Sequence, residues 1–508
     1  MRIRNILPVL VAFGLQLSHG LKAQEIISVT LFGARGDGKN LDKKSIQQAV
    51  DAAASKGGGK VVLPAPGVYL SGTIHLRSNV ELHVEAGATL LGSPRIEDYD
   101  SIRWGHNADR QPYHLLYADS CRNVSITGKG TIDGNGEAFW QPFEKDAAGN
   151  LVTPRWLLPK PRKVSPLIEI DRCFNTTMQD VTVKTGGGWN VHLYNCDVAK
   201  INCINIDNNI YSPNSDGIDI TGSSDVIISN CYIKTCDDAI CLKTTEDSRS
   251  CHRVTVTNCI IETLCVGLKM GCTESSKDMT DVTFSNCVIN KSSRAIGIYV
   301  KDGAVYDRIN INNIVANTNA PLIFNRPIQI MVNALRPDSK PGIIRNVSIS
   351  NFTCETEGRI LMTCYSGGLI ENLTLRDVRL SYPMIEDPRP MVPGSGSSQF
   401  PKLSDHAEAP GALAAVVADN IRNLVIDNLQ VNWPSTASTP AAWSHPERLE
   451  NGSKRIHRFD YAKSRQTELS VFWGKNIQGG YLNNILVKPS SSAVEKYVLV
   501  KSTVQVLH

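Results

Sequence analysis

Two acidic phrases stand one short repeat apart: Pro213-Asn214-Ser215-Asp216-Gly217-Ile218-Asp219-Ile220 and Cys236-Asp237-Asp238-Ala239-Ile240-Cys241-Leu242-Lys243. In each, a small residue, Gly217 or Ala239, leads into an apolar run that reads as a strand. Aligning those small residues sets Asp216 over Asp238, with Asp237 alongside. Three crowded carboxylates ionise together only at a cost, so they share protons or meet a cation. Glycoside hydrolysis uses that conflict: one carboxyl stays protonated to donate to the leaving oxygen, and another activates water. An Asp-Asp pair alone usually marks a solvated turn. The pair together with Asn-x-Asp-Gly one turn earlier is much rarer, which favours a catalytic reading.

The elements that would position these groups follow from a period. Cys203, Cys231, Cys259 and Cys287 recur at one constant interval, each preceded by asparagine at Asn202, Asn230, Asn258 and Asn286. A period of that size with β-rich phrases predicts a solenoid of stacked coils. Alternating pairs recur at Val226/Ile228, Val254/Val256, Val282/Phe284, Ile309/Ile311, Val347/Ile349, Leu373/Leu375 and Leu424/Ile426, each predicted to point inward. The four ladder cysteines are expected as inward-facing free thiols, and Asn230, Asn258, Asn286, Asn313 and Asn351 as an internal stack of hydrogen-bonded amides. Asp42 is expected to cap a helix over 43–56 whose apolar face, Ile46, Ala49, Val50 and Ala53, covers one end of the solenoid. Segments 383–411 and 434–466 read as long loops off the coil that could wall a groove.

Composition bounds the function. Over 508 residues the net charge is +4, which leaves no nucleic-acid footprint, and 42% apolar with 20% charged residues fits a folded soluble protein. Residues 1–23 read as an export signal: Arg2 and Arg4, an apolar run from Ile6 to Leu17, and a cut after Ala23. That run is short for a membrane span, so the expected place is the periplasm or the medium. The rest, 24–508, is expected as a single solenoid domain and a monomer. Zinc-type C-x-x-C spacings are absent. No metal or organic cofactor is expected, because two carboxyls supply both proton transfers.

The chain resembles glycoside hydrolase family 28, the polygalacturonases and their relatives. The resemblance rests on FGARGDGKNLDKKSIQQAVDAA, on SGTIHLRSNVELHVEAGATLLGS, on the WNVH stretch from Trp189 to His192, and on the acidic phrases, and it runs from about residue 28 to about 310. It implies an all-β, right-handed parallel β-helix enzyme that hydrolyses pectic polymers with inversion. The family's Asn-Thr-Asp corresponds to Asn214-Ser215-Asp216 and its Gly-Asp-Asp to Cys236-Asp237-Asp238. Asp237 is thereby implied as general acid, with Asp216 and Asp238 holding and activating water and Asn214 at the substrate. Two departures stand out. The family's Gly-His-Gly is Cys265-Val266-Gly267 here, and its Arg-Ile-Lys is Tyr299-Val300-Lys301. The lost histidine and arginine set the chain apart from a simple endo-polygalacturonase, while Lys301 keeps the family's carboxylate-binding lysine.

The register suggests substitutes. Asp238, Val266 and Arg294 follow one another at the interval of the cysteine ladder, which places Arg294 in the catalytic column two coils on. Strand alternation turns Asp219, Lys269 and Tyr299 outward. A groove lined by Lys269, Arg294, Tyr299 and Lys301 suits an anionic sugar; equally, Lys269 and Arg294 could simply balance the aspartates. His192 reads as a structural or groove-edge residue, and Trp189 as core before sugar platform. The reading is an exported glycosidase acting on a plant pectic polysaccharide or its oligosaccharides. Two rivals remain: a polysaccharide lyase using the aspartates for a cation and Lys269 or Lys301 as base, and a non-catalytic sugar-binding β-helix.

Overall fold

The computed structural model describes residues 25–507 except 103–109, 142–159, 321–324, 357, 366, 383–413, 434–445, 452–453, 460–469 and 489–494. The predicted export signal and the 383–411 loop lie outside the described residues.

Short strands rich in aliphatic residues return beneath one another, so each backbone edge finds a partner in the next coil. Strand Ile218–Thr221 pairs in parallel with Val191–Tyr194 on one side and with Ile240–Thr244 on the other. This pattern continues through 34 strands joined in one sheet system, a parallel β-helix. The alternating pairs stack as predicted. Ala199, Val226, Val254, Val282, Ile309, Val347, Leu373 and Leu424 follow in register, all buried. Each large aliphatic side chain so buried contributes about 1.5–3 kcal/mol, and one continuous core runs from Ile27 to Val504.

Helix Lys43–Ser55 packs Ile46, Ala49, Val50 and Ala53 onto the first coils. Asp42 stands at its N-cap but makes no cap bond with its side chain. Its carboxylate instead accepts from the backbone N–H groups of Arg35 and Gly36, at 2.7 and 3.0 Å, and so ties the preceding turn to the helix.

The cysteine ladder needs one correction. Cys231, Cys259 and Cys287 are buried free thiols, but Cys203 is exposed. The step between coils from Ala199 to Val226 is one place shorter than the next two, from Val226 to Val254 and from Val254 to Val282. Ile204 therefore stands over Cys231, since Asn205 pairs with Tyr232. Cys203 falls one place early, in the left-handed turn position that Asn230 and Asn258 occupy below it, with φ of 56°, 58° and 56°.

The asparagine stack also differs from expectation. Amides do bond from coil to coil, Asn313 to Asn286 at 2.9 Å and Asn351 to Asn313 at 2.7 Å. They are exposed on the turn rather than inside, because asparagine tolerates the positive φ a turn requires. Within 434–466, strands Pro446–Asn451 and Lys454–Phe459 form an antiparallel ribbon separate from the helical sheet. Among the described residues no helix is long and apolar enough to cross a membrane.

Candidate active site

The acids meet because the coils approach closely at the start of two strands. Gly217 donates its N–H to the Asp238 carbonyl at 2.8 Å, and Ile218 donates to that of Ala239 at 2.9 Å. A Cβ on Gly217 would lie 2.4 Å from the Ala239 oxygen, so only glycine permits this contact. Asp216 therefore stands over Asp238, as the alignment predicts. The Asp238 N–H donates to Asp237 Oδ1 at 3.0 Å, and the Thr263 hydroxyl donates to the Asp237 carbonyl at 2.5 Å. Of the three acids Asp237 is the most exposed, at 6%, against 3% for Asp216 and 2% for Asp238. Asn214 sits at φ 46° in the turn that leads to Asp216.

Two lysines divide the negative charge unequally. Lys269 bonds Asp238 Oδ2. Burial opposes ionisation of Asp238, but Lys269 and Lys243 outweigh it and hold the carboxyl below the usual carboxylate range. Lys243, by contrast, is shared: its Nζ lies 2.9 Å from Asp216 and 3.0 Å from Asp219. One ammonium cannot satisfy two buried carboxylates. Burial, only partly offset by Lys243, pushes Asp219 up to about 7 and raises Asp216 as well. Among the described residues no Lys, Arg or His comes within ion-pair distance of Asp237.

Lys269 thus serves the balancing role, since its ammonium sits on Asp238. Arg294 stands in register with Val266 and so in the Asp238 column, as predicted. Its Nη2 contacts Cys265 Sγ at 3.2 Å. Tyr299 is buried and donates to Gln329 at 3.2 Å. Lys301 is buried just beyond the strand Arg294–Val300, and its backbone N–H donates to Ser275. His192 is 1% exposed, with Nδ1 2.8 Å from Glu169 and Nε2 2.8 Å from the Thr221 hydroxyl. Both ring nitrogens are occupied, so His192 supports the groove from beneath rather than offering a bond to a sugar.

Three contributors escaped the sequence reading. Lys243 stands 3.4 Å over the Trp189 ring and links it to the acids. Glu169 joins Arg110, at 2.8 Å, to His192; burial opposes its charge, but His192 and Arg110 bring its carboxyl down to about 2. Cys265, beside the lost histidine position, brings its sulfur within 4.8 Å of ligand oxygens of Asp237 and Asp238. That trio could hold a metal ion by ligand type, yet Lys269 and Arg294 already place positive charge on two of its members. Register alone could have flagged Lys243, which lies opposite Thr221 on the outward face. Glu169 and Cys265 left no motif.

The parallel β-helix thus gathers crowded, lysine-braced carboxylates on one face. The profile of Glycosyl hydrolases family 28 matches residues 57–389, and the chain belongs to that family. It is 32% identical over 231 residues to a probable polygalacturonase of Vitis vinifera, covering 43% of this chain and 44% of that protein. It is 28% identical over 257 residues to an exo-poly-alpha-D-galacturonosidase of Dickeya chrysanthemi, covering 42% and 41%. The chain thus spans less than half the length of these curated relatives. An exopolygalacturonase from Thermotoga maritima superimposes with a TM-score of 0.59 at 23% identity, over 71% of this chain and 88% of that one, a likeness of fold.

Proposed function

We propose that this protein hydrolyses pectic glycans, with Asp237 as proton donor and Asp238 as the base that activates water. The observation that carries the reading is the unequal bracing of the acids. Lys269 keeps Asp238 anionic, as a base requires. Asp237 has no ammonium beside it among the described residues and is the most exposed of the three, as a donor to a leaving oxygen requires. Asp216, held by Lys243, positions the water from the neighbouring coil. Water attacks the anomeric carbon from the face opposite the leaving group, so the configuration inverts.

Family membership supports a pectic substrate, and the N-terminal basic and apolar run supports export to the periplasm or medium. The test is Asp237→Asn. It should lower kcat by about 10²–10⁴ on natural pectic substrate and by much less on a substrate with an activated leaving group. Near-normal hydrolysis by the variant, or retained configuration in early products by NMR, would overturn the assignment.

A further inference from the structure

Lys243 has three claims on one ammonium. Its Nζ donates to Asp216 Oδ2 at 2.9 Å, stands 3.0 Å from Asp219 Oδ1, and lies 3.4 Å from the centroid of the Trp189 ring. An ammonium carries three N–H donors, so two carboxylates and a ring face are enough to occupy it. Burial opposes its charge, but Asp216 and Asp219 outweigh burial and keep it protonated. The two carboxylate contacts differ in kind. That to Asp216 is a hydrogen bond, whereas neither oxygen of Asp219 accepts one among the described residues. Asp219 is nevertheless 0% exposed. It stands beside the ammonium without capturing it.

Among the described residues, the groups facing Asp219 supply no cation to replace Lys243. His192 stands opposite it on the strand before, and Cys241 on the strand after. Burial lowers the His192 ring below its usual range and raises the Cys241 thiol well above its own, so both are neutral. Lys269 acts on Asp219 from a further coil, but its ammonium bonds Asp238. Asp216 and Asp238 add negative charge to the same neighbourhood, as does Glu274 near Lys243. Asp219 therefore has two states: it holds a proton, or it competes with Asp216 for Lys243.

We propose that Asp219 is a positioning residue for the hydrolysis, acting through Lys243 on Asp216 and so on the attacking water. This rests on the pectic-hydrolase reading and extends it to a residue that reading leaves without a role. With Asp219 protonated, Lys243 serves Asp216 alone, and the Asp216 carboxylate holds the water against the Asp238 base. Once Asp219 ionises, two carboxylates pull on one ammonium, Asp216 loses its fixed place, and the water is held less well. Burial, only partly offset by Lys243, brings Asp219 up to about 7, so the change is centred near neutrality. It belongs to the chemical step, because Asp219 acts on the group that holds the water and not on the sugar.

The test is the pH dependence of kcat and KM for the full chain on a nitrophenyl glycoside of a pectic oligosaccharide. Its activated leaving group removes the demand for a proton from Asp237, so the limb that remains reports on the water side of the reaction. In the unmutated enzyme kcat should fall about fivefold or more as pH climbs through about 7. Asp219→Asn has no charge to gain and should move that alkaline limb up by about one pH unit or more. Asp219→Ser, smaller and equally uncharged, makes the same comparison if circular dichroism shows that the amide variant does not fold. A limb that stays in place in a folded variant would overturn the inference alone, as would a shift confined to KM. A kcat that is flat from about pH 6 to about pH 8 in the unmutated enzyme would overturn it without any variant. If the unmutated enzyme releases neither nitrophenol nor reducing ends from any pectic substrate at any pH, the inference falls together with the hydrolase reading.

Discussion

At the scale of residues, the site is a problem in dividing a small number of positive charges. Lys269 serves Asp238, whereas Lys243 serves both Asp216 and Asp219. The assignment of Asp238 as base depends on that allocation, so Lys269 is the residue to change. Lys269→Gln removes the charge that favours the Asp238 anion while keeping a donor. The Asp238 carboxyl must then rise, and the acidic limb of the kcat/KM profile should move up by about one pH unit or more. Circular dichroism would establish that the variant folds, since losing one partner of a buried pair costs about 3–5 kcal/mol. An acidic limb that stays in place would show that Asp238 is not the titrating base. The three acids were legible in sequence because Asn214-Ser215-Asp216-Gly217 and Asp237-Asp238 stand one coil apart, each leading into a strand. Lys243 was not, because its importance lies in where a long side chain ends, on a carboxylate one coil away, and strand alternation specifies a face but no reach.

At the scale of elements, what sequence could and could not predict depends on whether the period is constant. The inward pairs from Val226/Ile228 onward stack as predicted, since alternation is a local property. The ladder failed at Cys203 because one coil is a place shorter than the two that follow it, and a slip of one place moves a side chain from core to turn. The consequence is chemical: in native protein, Cys203 should alkylate readily while Cys231, Cys259 and Cys287 stay protected. Mass spectrometry before and after unfolding checks this, and all fourteen thiols should appear free once unfolded. A protected Cys203 would mean that its coil is as long as its neighbours after all. The contact at Gly217 belongs to the same scale. Gly217→Ala would drive a methyl group against the Ala239 carbonyl and force the coils apart where Asp216 meets Asp238. Overpacking there should cost about 1–3 kcal/mol of stability, and kcat should fall with it because the acids lose register. Full activity with a lowered Tm would show that the acids tolerate the shift.

At the scale of the whole molecule, burying this much charge ties stability to pH, and the sign can be worked out group by group. Asp219 rises from its ordinary 3.8 to about 7, principally through burial, and Asp171 rises to about 7 for the same reason. A carboxyl whose folded value is raised binds its proton more tightly in the folded chain. Its stabilising contribution is complete below the unfolded value and disappears as pH climbs through about 7. Glu169 has the opposite sign. Lowered from 4.5 to about 2, despite its burial, by His192 and Arg110, it stabilises the fold above its unfolded value and loses that effect as pH falls toward 2. Together these groups place maximum stability on the acidic side of pH 5, close to the ordinary carboxyl values of 3.8 and 4.5, where Glu169 is charged and Asp219 still holds its proton. Thermal unfolding should show a Tm lower by on the order of 5 °C at about pH 8 than at about pH 5. Asp219→Asn, uncharged at every pH, should flatten that slope without shifting the acidic side, where Glu169 dominates. A slope identical in the variant would mean that Asp219 remains ionised in the folded chain, with Lys243 neutralising it in full. Asp216 would then be the acid left without its ammonium, and the division of charge inferred for the whole face would have to be reversed.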